Sequence, residues 1–199
     1  FPREVLPLSL VLSQLVHLAL ALLVLLPWIA YHRGSDVFLH LPAVLLGMVL
    51  LAGFTSGFSM LVAGANVGFR DLKELTQVLF LIWFYLTPVI LPRAMIDQLL
   101  VSDPSTALRL ADKVVAVNPM TWYVGWFQQT MYGEVTAAAG AACPPDPVSG
   151  AVVNSCLVAS APGWPDPLTI LVCSSVAVVM FIVGYAAFTK MARNFAKAV

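Results

Sequence analysis

The chain has 199 residues, of which 60% are hydrophobic and only 10% are charged, and its formal net charge is zero. A soluble domain carries about 25% charged residues, so this composition excludes an ordinary soluble globule and indicates a protein that lies in lipid. A net charge of zero gives no evidence for nucleic-acid binding. Because the first residue is Phe1 rather than Met, and no signal peptide can be read after it, we expect a portion of a longer chain.

Four apolar segments approach or reach the length of about 20 residues that a helix needs to cross a bilayer. They predict membrane spans over residues 8–30, 41–62, 72–91 and 168–189. The third span is short unless it starts at Leu72. The sequence therefore predicts an all-α membrane protein with a single transmembrane domain over residues 1–199.

Positive charges are divided unevenly between the two sides of these spans. Four spans place both termini on one side, which holds Arg3, Arg70, Lys73, Lys190, Arg193 and Lys197 in three short segments. The other side holds Arg33, Arg93, Arg109 and Lys113. The positive-inside rule then places both termini and the linker over residues 64–74 in the cytoplasm, and residues 92–167 outside.

A polar stripe runs along the first span. Ser9, Ser13 and His17 recur every four residues and Gln14 lies beside them, so all four share one face of a helix. The stripe fits hydrogen bonds between helices in a bundle, and it fits a face along a solvated pathway equally well. His17 has no intramembrane carboxylate as a partner, which favours a bundle residue over a proton relay.

Two further patterns have structural interpretations. Gly53 and Gly57 in the second span have a small-xxx-small spacing, which predicts close packing against another helix. Asp71 and Glu74 have the spacing of a capping box at the start of the third span, where acidic side chains also favour the helix dipole.

The segment over residues 92–167 predicts two helices and a loop. A helix over about 105–117 precedes Asn118-Pro119, which is typical of an N-cap followed by Pro at the first helical position, and Gly133 predicts the end of the second helix. This pair would form an external amphipathic hairpin at the membrane–water boundary, where its aromatic residues could also be an interfacial belt. The face consists of Trp122, Tyr123, Trp126, Phe127, Thr130 and Met131. Residues 137–167 predict an irregular loop.

The sequence carries no enzyme signature, and no predicted span has a charge in its middle, which argues against an ion-coupled carrier. If the chain moves a cargo, its energy must come from another polypeptide. Cys143 and Cys156 lie in the same loop and would form a disulfide if that loop faces an oxidising compartment. No second Cys or His pair lies near them, so we expect no zinc site.

Four stretches, in order along the chain, resemble one protein family. They are Phe1–Ser9 (FPREVLPLS), Phe69–Leu72 (FRDL), Phe84–Pro92 (FYLTPVILP) and Asn118–Thr121 (NPMT). Together they resemble permease subunits of type-2 ABC exporters, in the branch that exports polysaccharides and polyol phosphates such as O-antigen, teichoic acid and galactan. The chain departs from this family in lacking about two spans before Phe1 and in a longer insertion over residues 143–167.

The resemblance implies a six-span subunit that works as a homodimer with two ATPase subunits in the bacterial cytoplasmic membrane, where it exports a lipid-linked glycan. ATP and Mg would bind to the partner ATPase, and this chain would need no cofactor or metal of its own. Residues 1–7 would be a cytoplasmic coupling segment, and the helices within 92–167 would gate the channel. The implied coupling residues are Phe1, Pro2, Arg3, Glu4, Arg70 and Asp71.

A glycan channel needs polar groups for hydroxyls and aromatic faces for sugar C–H groups, rather than fixed charges. The residues expected along such a substrate path are Ser9, Ser13, Gln14, His17, Trp83, Tyr85, Trp122, Tyr123 and Trp126. One alternative is a membrane-embedded enzyme acting on lipid-linked sugars, for which Asp97, Asp103 and Asp112 are the only candidate carboxylates. A second alternative is an assembly subunit that contains no transport pathway.

Overall fold

The computed structural model describes residues 5–68, 71–89, 106–133, 135–139 and 155–195. Its helices are α1 (Val5–Arg33), a 3-10 helix (Ser35–His40), α2 (Leu41–Gly68), α3 (Leu72–Leu86), α4 (Thr106–Val117), α5 (Pro119–Tyr132) and α6 (Pro167–Phe195). Two short strands, β1 (Val135–Ala139) and β2 (Ser155–Ala159), pair antiparallel, with Val135 opposite Ala159. The helical class is confirmed, and this ribbon corrects the prediction of an irregular loop over residues 137–167.

Three of the described helical segments are long and apolar enough to cross a membrane. They are Val5–His32, Val37–Asn66 and Pro167–Met191, with mean hydropathies of 2.3, 2.3 and 2.4. They contain the predicted spans over 8–30, 41–62 and 168–189. Because a helix rises 1.5 Å per residue, 25 residues extend about 37 Å, which exceeds the hydrocarbon thickness of about 30 Å. The chain is therefore a multi-pass membrane protein.

The fourth predicted span, over residues 72–91, is not confirmed. Helix α3 has 15 residues and ends at Leu86, so it extends only about 22 Å. It ends there because Thr87 precedes Pro88, and proline disfavours helical geometry in the residue before it; Thr87 is extended, with φ −85° and ψ 130°. The predicted capping box is also wrong, since the Asp71 side chain makes no capping hydrogen bond.

The contact between α2 and α6 is the most extensive packing in the described chain. An ideal Cβ added at Gly57 would overlap the backbone of Met180 and Phe181, and one added at Gly184 would overlap the backbone of Gly57. The two backbones approach this closely only because neither glycine has a side chain. The close packing predicted at Gly57 is confirmed, and Gly53 faces Ala177 in ordinary contact.

The remaining spanning helix, α1, folds back on α2 through the 3-10 helix. Its buried residues Leu22 and Ile29 share a cluster with Val37, Val44 and Met48. Because only the short 3-10 helix separates the end of α1 from the start of α2, the two packed helices are antiparallel. In contrast, Gly53 faces Ala177 and Gly64 faces Phe188, so α2 and α6 are parallel.

Replacement of Gly57 by Ala tests the α2–α6 contact. The added methyl group has no space beside the Met180 backbone, and we expect a loss of about 1–3 kcal/mol in unfolding free energy. Gly125→Ala is the matched control, because Gly125 is also helical but its Cβ would meet nothing within 4 Å. That control should be neutral or up to about 1 kcal/mol more stable. Thermal unfolding in detergent micelles measures both, and equal transitions for Gly57→Ala and the unmodified chain would contradict this packing.

Candidate functional site

A groove with a volume of about 870 Å³ runs along one side of the helical bundle. We call it the lateral groove. Its walls are α1 between Leu6 and Leu18, α2 between Leu51 and Asn66, and the end of α3 from Phe80 to Thr87. Met120 and Val124 of α5 also line it. The groove lies alongside membrane-spanning segments, so a molecule within it would be surrounded by the hydrocarbon region.

The lateral groove offers few free hydrogen-bonding groups. Thr55 donates its hydroxyl to the Leu51 carbonyl at 2.8 Å, and Thr87 donates to the Trp83 carbonyl at 2.9 Å. Both hydroxyls therefore donate hydrogen bonds within their own helices. Gln14, Ser59 and Asn66 are the other polar side chains of the lining, which is otherwise apolar.

The polar stripe on α1 lies on the outside of the described chain. Ser9, Ser13 and His17 are exposed, and of the stripe residues only Gln14 lines the lateral groove. Ser9 donates to the Leu6 carbonyl at 2.9 Å, and His17 Nδ1 lies 2.8 Å from the Ser13 carbonyl. These contacts are within α1, so they do not join it to another described helix.

Helix α5 is fastened to the α2–α6 pair by two buried aromatic residues. The Tyr123 hydroxyl donates to the Cys173 carbonyl at 2.8 Å, and Trp126 Nε1 donates to the Ala43 carbonyl at 2.9 Å. The Trp126 indole fits because Gly47 has no side chain; a Cβ there would lie 2.6 Å from Nε1. Burial, and then the neighbouring Cys173, raises the pKa of Tyr123 well above its ordinary value, so its hydroxyl stays a donor.

This packing separates the aromatic residues predicted for a substrate path. Trp83 lines the lateral groove, whereas Tyr85 is 71% exposed on α3. Tyr123 and Trp126 are only 2% and 0% exposed, so both pack inside the described chain rather than on its surface. Trp122 is half-buried and donates to the Ala116 carbonyl at 2.9 Å. Contact of any of these residues with a cargo stays a prediction.

Helix α5 packs beside the middle of α2. Tyr123 packs on Phe54 with ring centroids 5.6 Å apart, and Phe54 lies near the midpoint of α2. The position of the α4–α5 hairpin at the membrane–water boundary stays a prediction. Helix α4 matches the predicted 105–117 helix, and Gly133, with φ 84°, ends α5 as predicted.

Asn118 connects the turn between α4 and α5 to the end of α3. Its Oδ1 accepts from Met120 N at 3.0 Å, which confirms the predicted N-cap, and also from Trp83 Nε1 at 2.8 Å. Its Nδ2 donates to Thr87 Oγ1 at 3.0 Å. Sequence reasoning missed the two bonds to α3. The available signal was the four-residue spacing of Trp83 and Thr87, which places both on one face of a helix.

Two proteins with assigned names are similar to this chain. One is the O-antigen export system permease protein RfbA of Myxococcus xanthus, 31% identical over 133 residues that cover 66% of this chain and 47% of the relative. The other is the protein of the same name from Klebsiella pneumoniae, 31% identical over 101 residues, covering 49% of this chain and 38% of the relative. The resemblance to permease subunits of type-2 ABC exporters is confirmed. The aligned part of this chain spans less than half the length of either relative. No protein-family model matches the chain, and no solved structure matches it.

Several residues predicted for this permease lie outside the described residues. Among the coupling residues these are Phe1–Glu4 and Arg70, while Asp71 is described and exposed. Cys143 is also outside, and Cys156 is described only as backbone, opposite Ala138 in the ribbon. The coupling role and the disulfide therefore stay predictions. Among the side chains that the structure describes, no three His, Cys, Asp or Glu residues are grouped as a metal site requires.

Tyr123→Phe tests how α5 is held in the permease. The substitution keeps the ring but removes the hydroxyl donor to the Cys173 carbonyl, and we expect a loss of about 0.5–1.5 kcal/mol in unfolding free energy. Tyr132→Phe is the control, because Tyr132 lies on the same helix and is 40% exposed. Thermal unfolding in detergent measures both variants. An identical small shift for the two would mean that the Tyr123 hydroxyl does not hold α5.

Proposed function

We propose that this chain is the membrane-spanning subunit of an ATP-driven exporter that moves a cell-envelope polysaccharide out of the cytoplasm. The observation that carries the proposal is the 31% identity to an O-antigen export permease over 133 residues. The spanning helices and the lateral groove beside them support it, because a permease needs a passage that crosses the hydrocarbon region. The chain acts as a transporter subunit rather than an enzyme.

The lining of the lateral groove favours a cargo that carries a lipid. A passage for free sugars would need many hydrogen-bonding side chains, since each buried polar group without a partner is costly. The groove instead presents mainly apolar side chains, with the hydroxyls of Thr55 and Thr87 already bonded. A hydrocarbon anchor fits such a wall, and the sugar would occupy the wetter part of the passage. O-antigen is the preferred polysaccharide, ahead of teichoic acid and galactan, because both similar proteins are named for it.

We further propose that two copies of the subunit enclose the passage. Helix α3 has no buried residue in the described chain, although it is apolar over most of its length. The polar stripe on α1 is exposed as well, and polar groups inside a membrane normally face other protein or water. A second copy facing α1 and α3 would cover both surfaces and complete a channel.

The proposed energy source is a pair of partner ATPase subunits that bind ATP and Mg in the cytoplasm. Both termini of this chain would lie on that side of the bacterial cytoplasmic membrane. Residues 1–7, with Arg70 and Asp71, would receive the movement of the ATPases. Asp71 directly precedes α3, so a displacement there would pass into the helix that forms one wall of the lateral groove.

Filling the lateral groove tests this function. Ala63 lines the groove, so Ala63→Trp should obstruct it and lower export of lipid-linked polysaccharide about tenfold or more. Ala186→Trp is the matched control, because Ala186 is exposed on the spanning helix α6 and the added ring would meet lipid. Export is measured in membrane vesicles with the partner ATPase, after both variants are shown to insert in equal amounts. Equal export by the two variants would show that the lateral groove is not part of the export pathway.

A further inference from the structure

Beside the lateral groove, the Asn118 side chain is hydrogen-bonded to two groove-lining residues of α3, Trp83 and Thr87. We call Asn118 with Trp83 and Thr87 the Asn118 junction. Asn118 is 6% exposed and Thr87 8% exposed. The Asn118 oxygen accepts two hydrogen bonds and its nitrogen donates one, while Thr87 Oγ1 both accepts from Asn118 and donates to the Trp83 carbonyl. Hydrogen bonds in such a dry environment are strong, and a partner left without its bond is penalised.

The two sides of the Asn118 junction are held very differently. Helix α5 is fixed by Tyr123 and Trp126 to the carbonyls of α6 and α2. Helix α3 has no buried residue in the described chain, and its rings Phe80 and Trp83 lie against Phe58 of α2. Ring contacts of this kind can slide, whereas a hydrogen bond has one geometry. Among the described residues, the bonds of Asn118 are therefore the directional connection between the end of α3 and helix α5.

We propose that Asn118 is a positioning residue for export, which holds the end of α3 against α5 beside the lateral groove through its bonds to Trp83 and Thr87 until α3 moves. This inference rests on the proposed function. Trp83 and Thr87 both line the groove, and Met120 and Val124 of α5 face the same space. Separation of α3 from Asn118 would open the groove past the α4–α5 turn without disturbing the anchored helix α5.

The accessibility of position 124 to a thiol reagent tests the proposal. Val124→Cys is introduced into the full-length subunit in native membranes, and its reaction with a water-soluble thiol reagent is timed against the chain without that substitution. Thr87→Val removes the bond from Asn118 to Thr87 but keeps the shape of that side chain, the Trp83 ring and the N-cap to Met120. The reaction rate should rise about tenfold, as expected when one hydrogen bond is lost and the buried Asn118 nitrogen is left without that partner.

Two further variants separate the junction from general destabilisation. Thr130→Val is the control, because Thr130 donates to the Trp126 carbonyl four residues earlier, as Thr87 does to Trp83, but lies outside the Asn118 junction. Its reaction rate should stay within about twofold of the starting value. Thr87→Ser keeps the hydroxyl that accepts from Asn118, so it should restore the slow reaction that Thr87→Val loses.

The outcomes of this experiment are distinct from those of the export assay. An unchanged rate in the Thr87→Val variant, with the introduced thiol reactive after denaturation, overturns the proposal. An equal increase in Thr130→Val also overturns it, since loosening would then be general. The labelling reaction needs neither cargo nor ATPase, so a tenfold increase supports the junction even if the chain exports no polysaccharide, and that separate failure would concern only the proposed function.

Discussion

The contact between α2 and α6 at Gly57 and Gly184 is the constraint on which the rest of the structure depends. Lipid chains are as apolar as leucine, so helices in a membrane are not joined by the hydrophobic effect, and close backbone approach takes its place. The two glycines permit this approach. Because the helices run parallel, the Leu50 and Cys173 regions lie side by side and present the carbonyls that receive Tyr123.

Helices that lie farther from the α2–α6 pair are held progressively less firmly. Helix α5 is bonded into the pair, and Gly47 provides the space for its largest ring. Helix α3 is joined to α5 through Asn118 and touches α2 mainly through aromatic rings. Parts of a protein that move in function come from its less stable regions. The arrangement therefore suits the proposed exporter, with a fixed core and one mobile wall, and α3 is that wall.

The sequence predicted the features that depend on local signals. Apolar length identified the spans at α1, α2 and α6, and Asn118-Pro119 identified the start of α5. Prediction failed where the result depends on distant partners. An aromatic helix face has the same sequence pattern whether it contacts lipid or other helices, so the burial of Tyr123 and Trp126 could not be predicted from the sequence. The bonds of Asn118 join positions 31 and 35 residues apart; the spacing of Trp83 and Thr87 places them on one face of α3, but it does not show that Asn118 lies opposite that face. The length of α3 was overestimated because apolar residues continue beyond the break at Thr87-Pro88.

The central claim is that this chain carries a lipid-linked polysaccharide across the membrane rather than making it. The most direct measurement is the location of that polymer in cells that lack the protein, compared with cells in which it is restored. The account predicts that the polymer disappears from the cell surface and accumulates, still attached to its lipid, on the cytoplasmic side, and that restoring the chain reverses both changes. Normal surface polymer without the chain would contradict the account, and so would the absence of any polymer, because the chain would then act in synthesis.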